Sequence, residues 1–136
     1  MSEGKNNSRE QFVTPDLGFT PKGLYIGGKW LESVKGKRFE SINPANMEIL
    51  GDVPLADEHD VNRAVLAAKE AFIDWRRMPI KERAGYLDAL ADKLQDNRDE
   101  LGLIDCVDSG NTIAGMKGDV DWSADTLRYF AGLISE

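Results

Sequence analysis

The sequence contains one cysteine, one histidine and no long apolar run. A single cysteine excludes an internal disulfide framework and indicates a reducing compartment, so we expect a cytoplasmic protein. The apolar runs are a few residues long, whereas a membrane-spanning helix needs about 20. The formal net charge of −7 disfavours contact with nucleic-acid phosphates. The sequence therefore predicts an acidic, soluble protein that binds neither membranes nor nucleic acids.

Nucleotide-binding motifs are also missing. No Gly-x-Gly-x-x-Gly pattern occurs in the chain. Gly110 and Gly115 have the spacing of a phosphate loop, but Met116 stands where the phosphate-binding lysine belongs, and no strand is predicted before them. We interpret this stretch as a break between two helices, and we expect no cofactor-binding residue in the chain.

The cysteine and the histidine are not arranged for catalysis or for metal binding. Cys106 lies among aliphatic residues next to Asp105, so no base or positive charge is predicted near its thiol to activate it. His59 and the three acidic residues around it are adjacent on one helical turn, where side chains diverge and cannot chelate an ion. We therefore expect no catalytic residue here, and the chain alone is predicted to be inactive.

The first part of the sequence predicts a polar arm and then a small β unit. Residues 1–20 contain several Asn, Ser, Gly and Pro residues and predict a mobile N-terminal arm. Gly27-Gly28 lies between two apolar and aromatic runs, which indicates a tight hairpin. Two further extended segments, 38–42 and 47–53, are each followed by a turn signal that contains proline.

The rest of the sequence predicts three to four helices. Asp57 is a good N-cap for the first helix, which carries apolar residues at intervals of three and four and should end before Pro79. Similar stripes occupy 87–94, 101–107 and 113–134. Each helix thus has an apolar face that a small β unit cannot cover. The pattern predicts an α/β protein that is incomplete as a fold, with its main sheet lying elsewhere.

Several short runs resemble the amino-terminal part of the NAD(P)-dependent aldehyde dehydrogenase superfamily. Each run alone is weak, but their order and spacing over about 110 residues are specific. The Asp-Ser-Gly-Asn run is more similar to a bacterial-type or betaine-aldehyde-like branch of that superfamily. The runs are Tyr25-Ile26-Gly27-Gly28-Lys29-Trp30, Ile42-Asn43-Pro44, Asp60-Val61, Ala64-Val65, Ala67-Ala68, Ala71-Phe72, Trp75-Arg76, Leu90-Ala91-Asp92, Glu100-Leu101, Asp108-Ser109-Gly110-Asn111 and Leu127-Arg128-Tyr129-Phe130-Ala131-Gly132.

The resemblance implies that residues 21–136 are the first, truncated segment of a Rossmann-like cofactor-binding domain. The full-length protein would oxidise an aldehyde to a carboxylic acid with NAD or NADP through a cysteine thiohemiacetal, and would be a homo-oligomer. In that family the catalytic cysteine, its glutamate and the cofactor's glycine loop lie downstream, and Cys106 does not occupy the catalytic motif. The partners of this segment would then be the remainder of its own chain and, for the whole enzyme, the aldehyde.

The resemblance also implies one site within the chain. Family members often bind a structural monovalent cation, such as potassium, at positions that correspond to Ser41, the backbone carbonyl of Ile42, and Asp108. Oxygen ligands suit a hard cation. The alternative is that Ser41 only bonds its own turn and Asp108 caps a helix.

A second interpretation of the whole chain remains open at this point. The chain could be a free-standing, non-catalytic helical interaction module. Sequence that follows Glu136 in the same reading frame would decide between the two, because a dehydrogenase would continue into the glycine loop and the catalytic cysteine motif.

Overall fold

The computed structural model describes residues 13–17 and 23–134. In this part of the chain, four short strands precede four helices, in the order expected from the sequence. None of these helices is long and apolar enough to cross a membrane. The elements are β1 (Leu24–Ile26), β2 (Lys29–Leu31), β3 (Arg38–Ile42), β4 (Ile49–Pro54), α1 (Glu58–Trp75), α2 (Ile80–Asp96), α3 (Arg98–Ser109) and α4 (Ile113–Ile134).

The strands form two separate antiparallel hairpins, β1–β2 and β3–β4, where the sequence had indicated one small β unit. Gly27 and Gly28 both have positive φ, 59° and 79°, as the two central residues of a tight hairpin turn require. The second hairpin has an irregular register between Ser41 and Ile42. The two hairpins stay apart because residues 32–37, between β2 and β3, run past the start of α1 and are bonded to it.

Helix α1 begins at the N-cap that the sequence predicted. The Asp57 carboxylate accepts hydrogen bonds from the backbone N–H groups of His59, at 2.8 Å, and Asp60, at 3.3 Å. The Asp60 carboxylate accepts one in return from the Asp57 N–H, at 3.2 Å, which completes a capping box. The helix ends at Trp75, before Pro79, as expected.

The apolar core lies between α2, α3 and α4 and consists mainly of small side chains. Small residues let the helix axes approach closely, and Gly102 on α3 shows how closely. A Cβ atom placed there would lie 3.2 Å from the backbone nitrogen of Lys117 on α4. The buried apolar residues are Ala84, Ala91, Val107, Met116, Ala124 and Ala131.

The predicted N-terminal arm falls mostly outside the described residues. Within 13–17, the Thr14 N–H donates to Glu48 Oε2 at 3.1 Å, and the Thr14 hydroxyl accepts from Asn43 Nδ2 at 3.0 Å. This stretch therefore lies against the turn that joins β3 and β4. The mobility of the arm stays a prediction.

Candidate functional site

The structure brings together two of the three residues that the cation prediction named. Ser41 lies on β3 and Asp108 lies in the last turn of α3, and the Ser41 hydroxyl donates a hydrogen bond to Asp108 Oδ1. Ile42 follows Ser41 at the irregularity of the strand pair and is aligned with Ile49. The hydroxyl thus bonds a residue 67 positions away in the sequence rather than its own turn.

The contact is held in place by the end of α3. Gly110 closes that helix in the left-handed conformation, with φ 77°. A Cβ atom at Gly110 would lie 2.7 Å from Cγ of Pro44, so the Asn43-Pro44 turn packs directly on the glycine. We call Ser41, Pro44, Asp108 and Gly110 the seam, because they join the β3–β4 hairpin to α3.

An apolar pocket of about 270 Å³ opens beside the seam. Ser41 and Asp108 supply the only polar side chains of its lining. They are the two residues whose hydrogen bond joins β3 to α3. The remaining lining comes from Leu17, Phe39, Leu50, Gly51, Val53 and Ile104.

The seam carries one carboxylate and lies outside any cluster of metal-ligating side chains in the described residues. Within residues 13–17 and 23–134, neither lysine nor arginine forms an ion pair with Asp108. The same part of the chain contains no group of three or more His, Cys, Asp or Glu side chains able to hold a metal ion. The seam offers oxygen donors and one uncompensated carboxylate. The cation itself stays a prediction.

Sequence reasoning missed the part that Asp60 plays. The patterns suggested only a favourable charge at a helix N-terminus, whereas Asp60 is 1% exposed. Its two carboxylate oxygens accept from the backbone N–H of Val34, at 3.1 and 3.2 Å, and Arg63 Nη1 lies 3.4 Å from Oδ1. Together with the Asp57 N–H, these donors compensate a buried charge. The only signal in the sequence was an aspartate three residues after an N-cap.

A lysine reinforces this attachment. Lys35 Nζ lies 3.0 Å from Asp57 Oδ2. The hydrogen bond from Lys35 and those from the backbone of His59 and Asp60 lower the pKa of the Asp57 carboxyl, against a smaller opposing effect of desolvation. Val34 and Lys35 are therefore fixed to the start of α1 by Asp60 and Asp57, respectively.

Neither the cysteine nor the histidine takes part in the hydrogen bond between Ser41 and Asp108. Cys106 is half-buried on α3, and its Sγ lies 3.0 Å from the carbonyl oxygen of Asn111, so the thiol has an acceptor. His59 is exposed at the start of α1. In the part of the chain that the structure describes, the thiol is bonded to a backbone carbonyl, and neither side chain belongs to a group of metal-ligating residues.

Comparison with known proteins gives one consistent family. A sequence model described as the aldehyde dehydrogenase family matches residues 30–136. Aminoaldehyde dehydrogenase 2 of Zea mays is 39% identical over 126 residues, which are 89% of this chain and 25% of that protein. Betaine aldehyde dehydrogenase 1 of Oryza sativa subsp. japonica is 39% identical over 117 residues, 82% of this chain and 23% of that protein.

Comparison with solved structures gives the same family. The betaine aldehyde dehydrogenase of Staphylococcus aureus in complex with NAD+ superimposes with a TM-score of 0.81 at 33% identity, over 86% of this chain and 24% of that one. The chain thus spans about a quarter of the length of the relatives it matches. Short strands followed by four helices correspond to the N-terminal part of their cofactor-binding domain, which confirms the expected fold class. The chain belongs to the aldehyde dehydrogenase family.

Proposed function

We propose that this chain supplies the N-terminal segment of the cofactor-binding domain to an enzyme that oxidises an aldehyde to a carboxylic acid with NAD(P)+. The observation that supports this most is the family match over residues 30–136. The thiohemiacetal chemistry would belong to a cysteine outside this chain, because Cys106 is bonded to a backbone carbonyl on a structural helix. The chain by itself is proposed to be inactive.

NAD is the proposed cofactor, supported by the NAD+ complexes among the structural neighbours. NADP remains a second candidate. When bound, the cofactor would supply the hydride acceptor for the oxidation. A helix N-terminus can bind a pyrophosphate, but acidic groups occupy those of α1, α2 and α3, and that of α4 follows no Gly-x-Gly-x-x-Gly loop. The N-terminus of α1 carries the Asp57 carboxylate, and that of α3 carries Asp99 and Glu100. The cofactor-binding residues are therefore proposed to lie outside this segment.

The proposed substrate class is an amino- or ammonium-bearing aldehyde, in line with the names of the two plant relatives. The proposed setting is a cytoplasmic homo-oligomer. The segment's own contribution is structural: its helices form one layer of the domain, and the seam attaches the β3–β4 hairpin to that layer.

We also propose the seam as a monovalent cation site, with potassium as the candidate ion. Ser41 Oγ, the Ile42 carbonyl and the Asp108 carboxylate would hold it. The direct contact between Ser41 and Asp108 supports this, because it places two oxygen donors from different elements side by side. The ion would fix the hairpin to α3 and take no part in the oxidation.

A chimera tests the proposed activity. Joining this chain to the polypeptide that follows the matched segment in the Staphylococcus aureus betaine aldehyde dehydrogenase should give an enzyme that forms NADH from betaine aldehyde, followed by absorbance at 340 nm. The chain alone serves as the control and should form none. A folded chimera that forms no NADH would contradict the proposal and favour the non-catalytic interaction module.

A further inference from the structure

The pocket beside the seam has a polar end and an apolar end. On the β3–β4 hairpin, Phe39 is aligned with Val53. Two residues further along β3, Ser41 is aligned with Gly51. Residues two positions apart on a strand, and the residues directly opposite them, lie on the same face of the sheet. All four line the pocket, and the pair that contains Ser41 lies at the hydrogen bond to Asp108.

Helix α3 forms the opposite wall of the pocket. Ile104 and Asp108 are four residues apart, so they lie on the same side of the helix, one turn from each other. Asp108 meets Ser41 at the seam, and Ile104 adds an apolar side chain one turn away. Each wall therefore carries one polar side chain beside apolar ones.

Gly51 leaves the space at the polar end, because it has no side chain to fill the position opposite Ser41. The pocket of about 270 Å³ is larger than an apolar cavity of about 150 Å³, which is enough to hold benzene. The charged residues of the hairpin alternate to its other face, where Arg38 Nε donates to Asp52 Oδ2 at 2.9 Å. Asp108 is therefore the only charged side chain in the lining.

From this arrangement we infer that the pocket binds a short primary alkylammonium ion, with the ammonium group on Asp108 and the alkyl chain between the hairpin and α3. Among the described residues, no lysine or arginine forms an ion pair with the Asp108 carboxylate. The N–H groups of an ammonium ion donate strong hydrogen bonds to a carboxylate. Two strand residues span about 6.6 Å, which suits a chain of about four carbons.

Other ligand classes fit the pocket less well. The carboxylate repels anions, and an uncharged apolar molecule would leave it without a partner. A bare potassium ion would occupy the polar end and leave the apolar end unfilled. An alkylammonium ion and potassium would compete for Asp108. The inference goes beyond the proposed oxidation and depends neither on it nor on potassium binding.

A chemical-shift titration of the 136-residue chain with n-butylammonium tests the inference, and the two parts of the ligand are its controls. Methylammonium keeps the charge and lacks the chain, whereas n-butanol keeps the chain and lacks the charge. Each buried methylene group contributes about fourfold in affinity. We expect n-butylammonium to bind at least tenfold more tightly than either control. Tetraethylammonium has the charge but no N–H group, and it should also bind at least tenfold more weakly.

Variants at both ends of the pocket make the test specific. Asp108→Asn should weaken n-butylammonium binding at least tenfold and change n-butanol binding less than twofold. Asp105→Asn, at an exposed neighbour on α3, is the matched control and should change neither. Gly51→Val should abolish n-butylammonium binding by filling the pocket, since the backbone of Gly51 lies outside the left-handed region and accepts valine.

Equal affinities for n-butylammonium and methylammonium would indicate a bare cation site and overturn the inference. Equal affinities of the Asp108 and Asp105 variants for n-butylammonium would overturn it as well. The titration is repeated on the folded chimera, where loss of binding would show that downstream residues fill the pocket and would also contradict the inference. Binding by a chimera that forms no NADH would support the pocket and contradict only the proposed function.

Discussion

The two halves of the molecule bury opposite kinds of side chain. In the described chain, every buried apolar side chain of the core belongs to α2, α3 or α4. The buried polar residues, Ser33, Asn43 and Asp60, all come before α1 or lie in its first turn. The helical half is therefore held by packing, and the N-terminal half by hydrogen bonds to a few buried polar groups. The N-terminal half therefore depends on specific polar contacts more than on apolar burial.

Removing the Asp60 carboxylate should give the largest effect, and it should fall on the N-terminal half. Asp60→Ala leaves the N–H groups of Val34 and Asp57 without acceptors, and each such loss costs about 1–3 kcal/mol. We expect the free energy of unfolding to fall by about 3 kcal/mol in a urea titration. Glu58→Ala is the control, because Glu58 lies two residues before Asp60 in the same turn and is exposed. Equal losses of stability in the two variants would show that the hydrogen bonds of Asp60 do not hold the N-terminal half together.

Two glycines test how closely the helices of the helical half are packed. Gly102→Ala would place a methyl group against Lys117, so we expect a loss of about 1–3 kcal/mol from overpacking. Gly118→Ala on α4 meets no atom within 4 Å and should instead stabilise by up to about 1 kcal/mol, because alanine favours the helix. Thermal unfolding of both variants tests the sign. A gain from Gly102→Ala would show that the α3–α4 contact is looser than described.

Acid should act on an ion pair in each half. Lys35 lowers the pKa of Asp57, and Arg98 lowers that of Asp121 through a hydrogen bond at 2.7 Å. A carboxyl with a lowered pKa stabilises the fold above its unfolded pKa, about 3.9, and this contribution is lost as the pH falls through the folded value. Lys35→Met should therefore flatten the fall of stability below about pH 4. Lys69→Met, an exposed control on α1, should leave the curve unchanged, and an identical curve for both variants would contradict the role of Lys35.

The seam should give the smallest effect. If potassium binds there, it stabilises the folded chain by about 0.4 kcal/mol when its concentration equals its Kd, and by more above it. Asp108→Ala should abolish the difference between melts recorded in potassium and in a large organic cation. Asp105→Ala, an exposed neighbour on α3, should preserve it. Identical melts with and without potassium in the unaltered chain would exclude the ion.

Local features of the fold could be predicted from the sequence, and long-range ones could not. The Gly27-Gly28 turn and the Asp57 cap depend on residues within a few positions of each other, so both can be predicted from short sequence patterns. The separation of the two hairpins depends on the bond between Val34 and Asp60, 26 positions apart. A contact between residues so far apart leaves no periodic pattern in the sequence. The close approach of Gly102 to Lys117 could not be predicted either, because Gly102 looks like any other helical glycine in the sequence.

The seam shows what a family resemblance adds. Nothing in the spacing of Ser41 and Asp108 predicts that they meet, yet the resemblance named both, and the structure places their side chains in contact. The resemblance did not name Asp60 as a ligand of the backbone at Val34. Only the folded structure shows that contact, because a buried carboxylate and a solvated one look the same in sequence.

Hydrogen exchange of the chain tests the difference between the two halves most directly. In the 136-residue protein alone, amides of α1 should exchange at least tenfold faster than those in the middle of α4, because α1 buries no apolar side chain. In the complex with the downstream dehydrogenase polypeptide, α1 should become as protected as α4. Equal protection of the two helices in the chain alone would contradict the account.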